Sequence, residues 1–377
     1  MGVPLFVSHS WITLFALATL FIALVQLPAL FPSSTLGVRL LGGLAFSTLF
    51  FASVVFHEMA HAVVALSQKQ RVHSITVMIF GGFTAIEGEV PRPRAEAFIA
   101  AAGPVASFVV GVMLITLAFS VGGQGTMLGF IAFGLGEVNL ALAFLNMLPG
   151  LPLDGGRVFL AVAWKATGSR YRGAMAAVNA GRFLGLVEIL IGLVYLFVLS
   201  DTVLGVSLIL VGWFLRSAAG SAGRQFTQQE TLKGLKVRDI VEARWPRVTI
   251  GTAISTIAED EEFLQGRRSY LVYQDGTWAG MLPVRAVKSL SPEERRGLRV
   301  GDVMVPRENV LHISPEDDVL AALQSMERER AGYVPVLNDQ GQVMGVLSRE
   351  HIQQVVLTRA AAAQPKPERG GGKKGKS

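Results

Sequence analysis

Uncharged apolar residues run through long stretches of the first 216 positions, and beyond Arg224 the pattern changes to short apolar stretches divided by charges. A helix needs about 20 apolar residues to cross the hydrocarbon core of a bilayer. Residues 11–31, 40–66, 95–121 and 127–148 each meet that length. Residues 183–215 are apolar apart from Glu188 and Asp201 and read as a fifth and a sixth span turning near Asp201, the sixth being short. The pattern predicts a polytopic α-helical membrane domain of about six helices over residues 1–224. Between the second and third spans, residues 74–90 are rich in Ile, Val, Thr and Phe and contain Phe80, Gly81, Gly82 and Phe83 in a row. Short strands joined by a glycine turn are expected there, as a small membrane-associated β-hairpin.

The remainder reads twice as a mixture of strand and helix. Residues 236–297 hold apolar strands at 270–273 and 279–282 around Asp275-Gly276, and residues 298–358 hold strands at 333–337 and 343–347 around 339–341. A helix follows each pair, so the chain carries an internal α/β repeat of about sixty residues. Residues 361–377 are rich in Ala, Pro, Gly and Lys and are expected to form a disordered basic tail.

Composition sharpens this division. The chain is 51% hydrophobic and only 16% charged, with a mean hydropathy of +0.47, a balance that excludes an ordinary soluble protein. Residues 1–10 lack the basic start and cleavage site of a secretory signal peptide, so the first span is expected to stay in the protein. Basic residues follow the second span (Lys69, Arg71, Arg92, Arg94), the fourth (Lys165, Arg170, Arg172, Arg182) and the sixth (Arg216, Arg224), whereas the opposite connections hold only Arg39. The positive-inside rule then puts both termini and the α/β repeats in the cytoplasm. The net charge of +6 sits largely in these loops and in the tail, and calls for no nucleic acid.

Candidate chemistry lies inside the apolar half. His57, Glu58 and His61 fall on the second span, with the two histidines one helical turn apart on one face and able to reach a single ion. Ionisable groups within a span are expensive unless paired, wet or metal-bound, which makes them functional candidates. A zinc ion there would acidify a water molecule and Glu58 would take its proton. With no cysteine in the chain, a third ligand must come from His9, His73, Glu87, Glu89, Glu96, Glu137, Asp154, Glu188 or Asp201. Asp154 stands out, because Pro149, Gly150, Pro152, Gly155 and Gly156 break the chain around it at the same membrane face as His61.

The His57-Glu58-x-x-His61 motif within a span, followed by Asn146 and by Leu153-Asp154-Gly155, resembles the site-2 protease family of intramembrane metalloproteases. That resemblance covers the membrane half. It implies one zinc per chain held by His57, His61 and Asp154, Glu58 as general base, and Asn146 binding the substrate backbone or the developing oxyanion. It also matches 80–83 to a hairpin that pairs with an extended substrate strand. Residues 102–107 resemble a further family element, which is given no chemistry beyond close helix packing. The implied substrate is a single-span membrane protein, such as a membrane-bound transcription regulator or an anti-sigma factor, cut in regulated intramembrane proteolysis at a prokaryotic cell membrane.

The two aqueous repeats resemble CBS modules, through residues 300–304, Met326, 334–336 and 345–348 of the second copy. The positions matching that family's nucleotide-binding Thr and Asp are Ser348 and His351 in the second copy, and Pro283 and Ala286 in the first. Adenine nucleotide at the pair and a homodimer or scaffold contact both stay open. Two readings from other classes also stay open: a CBS-regulated transporter or channel, with Glu137 and Glu188 as intramembrane acids, and a catalytically silent scaffold.

Overall fold

The computed structural model describes residues 3–78, 81–86, 88–259 and 269–363. The chain divides into two compact units, residues 1–226 and 227–377.

In the first unit, α1 (His9–Phe21), a π-helical stretch (Ile22–Gln26) and α2 (Leu27–Leu30) form the first span. It is followed by α3 (Leu36–Ser67), α4 (Pro93–Ser120), α5 (Met127–Asn146), a shorter α6 (Asp154–Thr167), α7 (Arg170–Phe197) and α8 (Thr202–Leu232). Among the described residues, six helical stretches are long and apolar enough to cross a membrane, α6 not being one of them. Their packing is that of a membrane protein. Gly42, Gly43 and Ser47 on α3 and Gly103, Ser107 and Gly111 on α4 are buried, while Leu41, Phe108, Met113 and Phe119 face outward. Lipid tails solvate the large side chains as well as a core would, so the small residues that let backbones approach collect at the helix contacts.

The fifth and sixth spans turn near Asp201 as expected, but hydropathy misplaced their outer ends. Helix α7 begins at Arg170, well before Phe183, and α8 continues to Leu232, so the sixth span is not short. Arg170, Arg172, Arg182, Arg216 and Arg224 therefore stand on helices rather than in loops. The early part of α7 is alanine-rich and packs Ala174, Ala177 and Val178 onto Leu151 and Leu160. Helix propensity and that contact extend the helix where hydropathy has already fallen.

Two features hold the segment between α5 and α6. The Leu151 N–H donates to the Ala177 carbonyl at 3.1 Å. Gly155 and Gly156 lie so close to the backbone of Met147, Leu148 and Gly150 that a Cβ at either would overlap it. Asp154 is thereby fixed as the first residue of α6 rather than left in a solvated turn.

The sheet of this unit has the order β1-β2-β3, from β1 (Leu5–Val7), β2 (Val72–Met78) and β3 (Gly81–Ile86). β2 and β3 are antiparallel, with Met78 opposite Gly81 and Val77 opposite Gly82, so these glycines open β3 instead of making the turn. β1 adds parallel to β2; a three-residue strand has too little alternation to be read in advance.

In the second unit, β4 (Arg247–Thr249), β5 (Ser269–Gln274), β6 (Thr277–Pro283) and β7 (Val305–Pro306) form one sheet, and β8 (Tyr333–Leu337) pairs with β9 (Val343–Ser348) in another. Asp275 and Gly276, with φ of 48° and 80°, turn β5 into β6, as hairpin turns of the mirror-image type require. Leu271, Trp278 and Met281 from the first sheet share a core with Val346 from the second. The last helix, Arg349–Ala363, reaches past residue 361, where the tail was expected to start; the rest of that tail, 364–377, lies outside the described residues.

Candidate metal centre

His57 and His61 project from α3 with both residues about 4% exposed. The His61 Nδ1 lies 2.7 Å from the Ile99 carbonyl oxygen. A carbonyl only accepts, so Nδ1 carries the proton and the neutral ring presents a lone pair at Nε2. The His57 Nδ1 lies 2.8 Å from the Ser107 hydroxyl, which turns its Nε2 to the same point. The two Nε2 atoms are 3.2 Å apart, and Asp154 Oδ2 lies 3.2 Å from one and 3.3 Å from the other.

Three electron-rich atoms converging in a buried site repel one another unless a cation sits among them. A tetrahedral ion with bonds of about 2.0–2.1 Å sets neighbouring ligand atoms about 3.3 Å apart. The spacing observed is that spacing, and a donor set of two imidazoles and one carboxylate suits zinc. Among the described residues this is the one cluster of its kind.

Gly103 lies on α4 opposite the two rings, where a Cβ would collide with Nε2 of both His57 and His61. Only glycine leaves that space open. Glu58, 6% exposed, is covered by β3: the Thr84 hydroxyl donates to its Oε2 at 2.9 Å, and a Cβ on Gly82 would overlap its carboxylate. Glu58 is thus held by a strand rather than by another helix.

The other sequence candidates fall as follows. Asn146 ends α5 half-buried, with no side-chain hydrogen bond among the described residues. Phe80 lies outside the described residues, as does Glu87, whereas Gly81, Gly82 and Phe83 belong to β3. Glu96 and Glu89 pair with arginines, and Asp201 accepts from the Leu204 N–H at the start of α8, so these three are not ligands. Ser348 donates to Glu242 Oε1 at 2.7 Å and accepts from the His351 N–H.

Sequence reasoning missed Thr84, Gly103 and Ser107. It passed over residues 102–107 as helix packing, although Gly103 and Ser107 stand one turn apart on one face, the same spacing that made His57 and His61 conspicuous.

A zinc-type donor set buried among apolar helices, with a carboxylate beside it, is a site suited to metal-assisted hydrolysis inside a membrane domain. The sequence profile of Peptidase family M50 matches residues 45–132 and 123–188, and that of the CBS domain matches residues 300–358. A relative in Synechocystis, provisionally named as the zinc metalloprotease sll0528, is 31% identical over 369 residues, which cover 96% of this chain and 94% of its own length. Another from Mycobacterium tuberculosis, provisionally named as the zinc metalloprotease Rip3, is 33% identical over 330 residues, covering 85% and 82%. The solved site-2 protease from Methanocaldococcus jannaschii is 27% identical, with 59% of this chain and 92% of that one covered at a TM-score of 0.41. The chain belongs to Peptidase family M50, the site-2 proteases, and is an integral membrane metalloendopeptidase carrying a CBS domain.

Proposed function

We propose that the enzyme hydrolyses a peptide bond in or beside the transmembrane segment of a single-span membrane protein, such as a membrane-bound transcription regulator or an anti-sigma factor, in regulated intramembrane proteolysis. The observation that carries this reading is the position of β3. It covers Glu58 on one side, and its edge away from β2 has no strand partner among the described residues. A transmembrane helix buries its peptide bonds in its own hydrogen bonds and must unwind before attack. An unwound segment adds to the free edge of β3 as a further strand and is held extended next to Glu58.

When bound by His57, His61 and Asp154, one zinc per chain supplies a water of lowered pKa and polarises the scissile carbonyl. Glu58 accepts the proton of the attacking water at its carboxylate and passes it to the leaving nitrogen. The Ile99 carbonyl keeps the His61 imidazole in the tautomer that leaves Nε2 free, and Ser107 orients the His57 ring with its Nε2 toward the site. Asn146 is the donor assigned to the substrate carbonyl. In the orientation proposed here the termini, the active-site opening and the CBS modules face the cytoplasm of a prokaryotic cell.

The test is cleavage of a single-span reporter in liposomes. Gly-Pro placed in the reporter span near the cut is expected to raise the rate several-fold by opening the helix. A rate that falls as the reporter helix is weakened would contradict an extended substrate on β3.

The CBS pair is proposed as a scaffold or dimer contact rather than a nucleotide sensor, because the Ser348 hydroxyl is already bonded to Glu242, a carboxylate that would repel phosphate. Millimolar AMP or ATP is therefore expected to leave thermal stability unchanged, whereas a ligand bound at about 100 times its Kd would raise it by about 2.7 kcal/mol. A concentration-dependent rise in Tm would restore the sensor. Membership of M50 with Glu58 intact leaves the transporter and silent-scaffold readings without a supporting observation.

A further inference from the structure

We infer that the buried Glu96 and the partly exposed Arg157 form a tether that positions Asp154 for the metal; this rests on the zinc reading of the site. Glu96 lies near the start of α4 with its side chain 3% exposed, and its Oε1 accepts from Arg157 Nε at 2.9 Å. Arg157 stands one turn beyond Asp154 on α6. Helix α4 already supplies the Ile99 carbonyl to His61 and the Ser107 hydroxyl to His57. Through Glu96 it also grips the helix that carries Asp154, so one helix holds partners of both histidines and of the helix bearing the third acid.

Asp154 needs such a grip. It opens α6 directly after a segment with two prolines, and Leu153 before it makes no side-chain cap hydrogen bond. The close packing of Gly155, Gly156 and Leu160 seats α6, but apolar contacts set its rotation about its own axis less sharply than a directional bond does. The charge-assisted bond three residues along supplies that direction. Arg170 adds positive charge beside the same carboxylate from the start of α7, with Nη2 4.0 Å from Glu96 Oε2 and Nη1 3.6 Å from Glu89, while its guanidinium stacks 5.3 Å from the centre of the Phe226 ring.

Stability alone does not account for this arrangement. A buried ion pair is commonly matched or exceeded in stability by apolar side chains of similar volume, because desolvation offsets the attraction. What apolar side chains lack is direction. The pair fixes where α6 stops turning, and metal ligation is sensitive to that.

The test uses the full-length protein in detergent, loaded with zinc and challenged with a chelator. The double variant Glu96→Leu with Arg157→Met keeps volume and removes both charges. Its metal-free Tm is expected to stay within a few degrees of wild type, while its zinc affinity falls about 10- to 100-fold, as for other groups that orient metal ligands. Its activity should recover at saturating zinc. Arg157→Lys, which keeps the charge pair, should retain most of the affinity. Glu96→Gln, which keeps the shape, should lose affinity like the double variant and decides the matter if the latter does not fold. Wild-type zinc affinity in the folded double variant or in Glu96→Gln, with only the metal-free Tm lowered, would show the pair to be packing and overturn the inference. Absence of zinc from the wild-type protein would instead overturn the metal reading itself.

Discussion

Glu58→Gln is expected to remove cleavage and leave zinc in place. The substitution keeps the size of the side chain and an oxygen that accepts from the Thr84 hydroxyl, so β3 stays seated over the site. None of the three ligands is altered, and His57, His61 and Asp154 retain their 3.2–3.3 Å spacing. What disappears is the group that accepts the proton of the attacking water, and loss of a positioned general base lowers rates by about 10²–10⁴-fold. Reporter cleavage and zinc per chain, measured on the same preparation, check both halves. Cleavage at the wild-type rate would mean that another group is the base; loss of zinc would mean that Glu58 ligates.

The second large effect is expected from Gly103→Ala, a change that adds one methyl group to a helix that otherwise favours alanine. The new Cβ would overlap Nε2 of both His57 and His61, the atoms that face the metal. The backbone of α4 cannot easily retreat, since Ile99 one turn earlier and Ser107 one turn later are both bonded to those rings. The imidazoles must therefore rotate out of ligating geometry. Zinc affinity should fall by about 100-fold or more, with activity following it, even though misplacing an outer group alone typically costs 10–100-fold. Helix content by circular dichroism should not change. An equivalent of zinc retained by the Gly103→Ala protein after dialysis against chelator would contradict the geometry described for this face of α4.

Much of this site was legible in the sequence because zinc ligation leaves local marks. His57 and His61 at helical spacing, and Asp154 among prolines and glycines, are visible as residues out of place in an apolar chain. Their meeting point was legible only through the argument that both lie at one membrane face. The groups that orient them were not, for physical reasons. Ile99 acts through its backbone carbonyl, which no side-chain pattern encodes. Ser107 and Gly103 are small residues in a span where small residues also serve packing, so their chemistry depends on which helix faces them. Thr84 lies on a strand whose register over Glu58 is a tertiary fact.

The fold divides in the same way. Six spans followed from length and hydropathy, but the ends of α7 and α8 did not, since helices continue into water wherever propensity and packing carry them. The hairpins of the second unit were announced by Asp275-Gly276 and by the turn before Val343. The pairing of β7, from the second repeat, with β6 of the first was not, because a two-residue strand has no period of its own.

X-ray absorption at the zinc edge of the purified wild-type protein tests the central claim most directly. The account predicts one zinc per chain with nitrogen and oxygen neighbours at about 2.0–2.1 Å and the outer-shell pattern of two imidazoles, one light neighbour being lost in Asp154→Ala. Zinc surrounded by oxygen alone, or a spectrum identical in the Asp154→Ala protein, would contradict it.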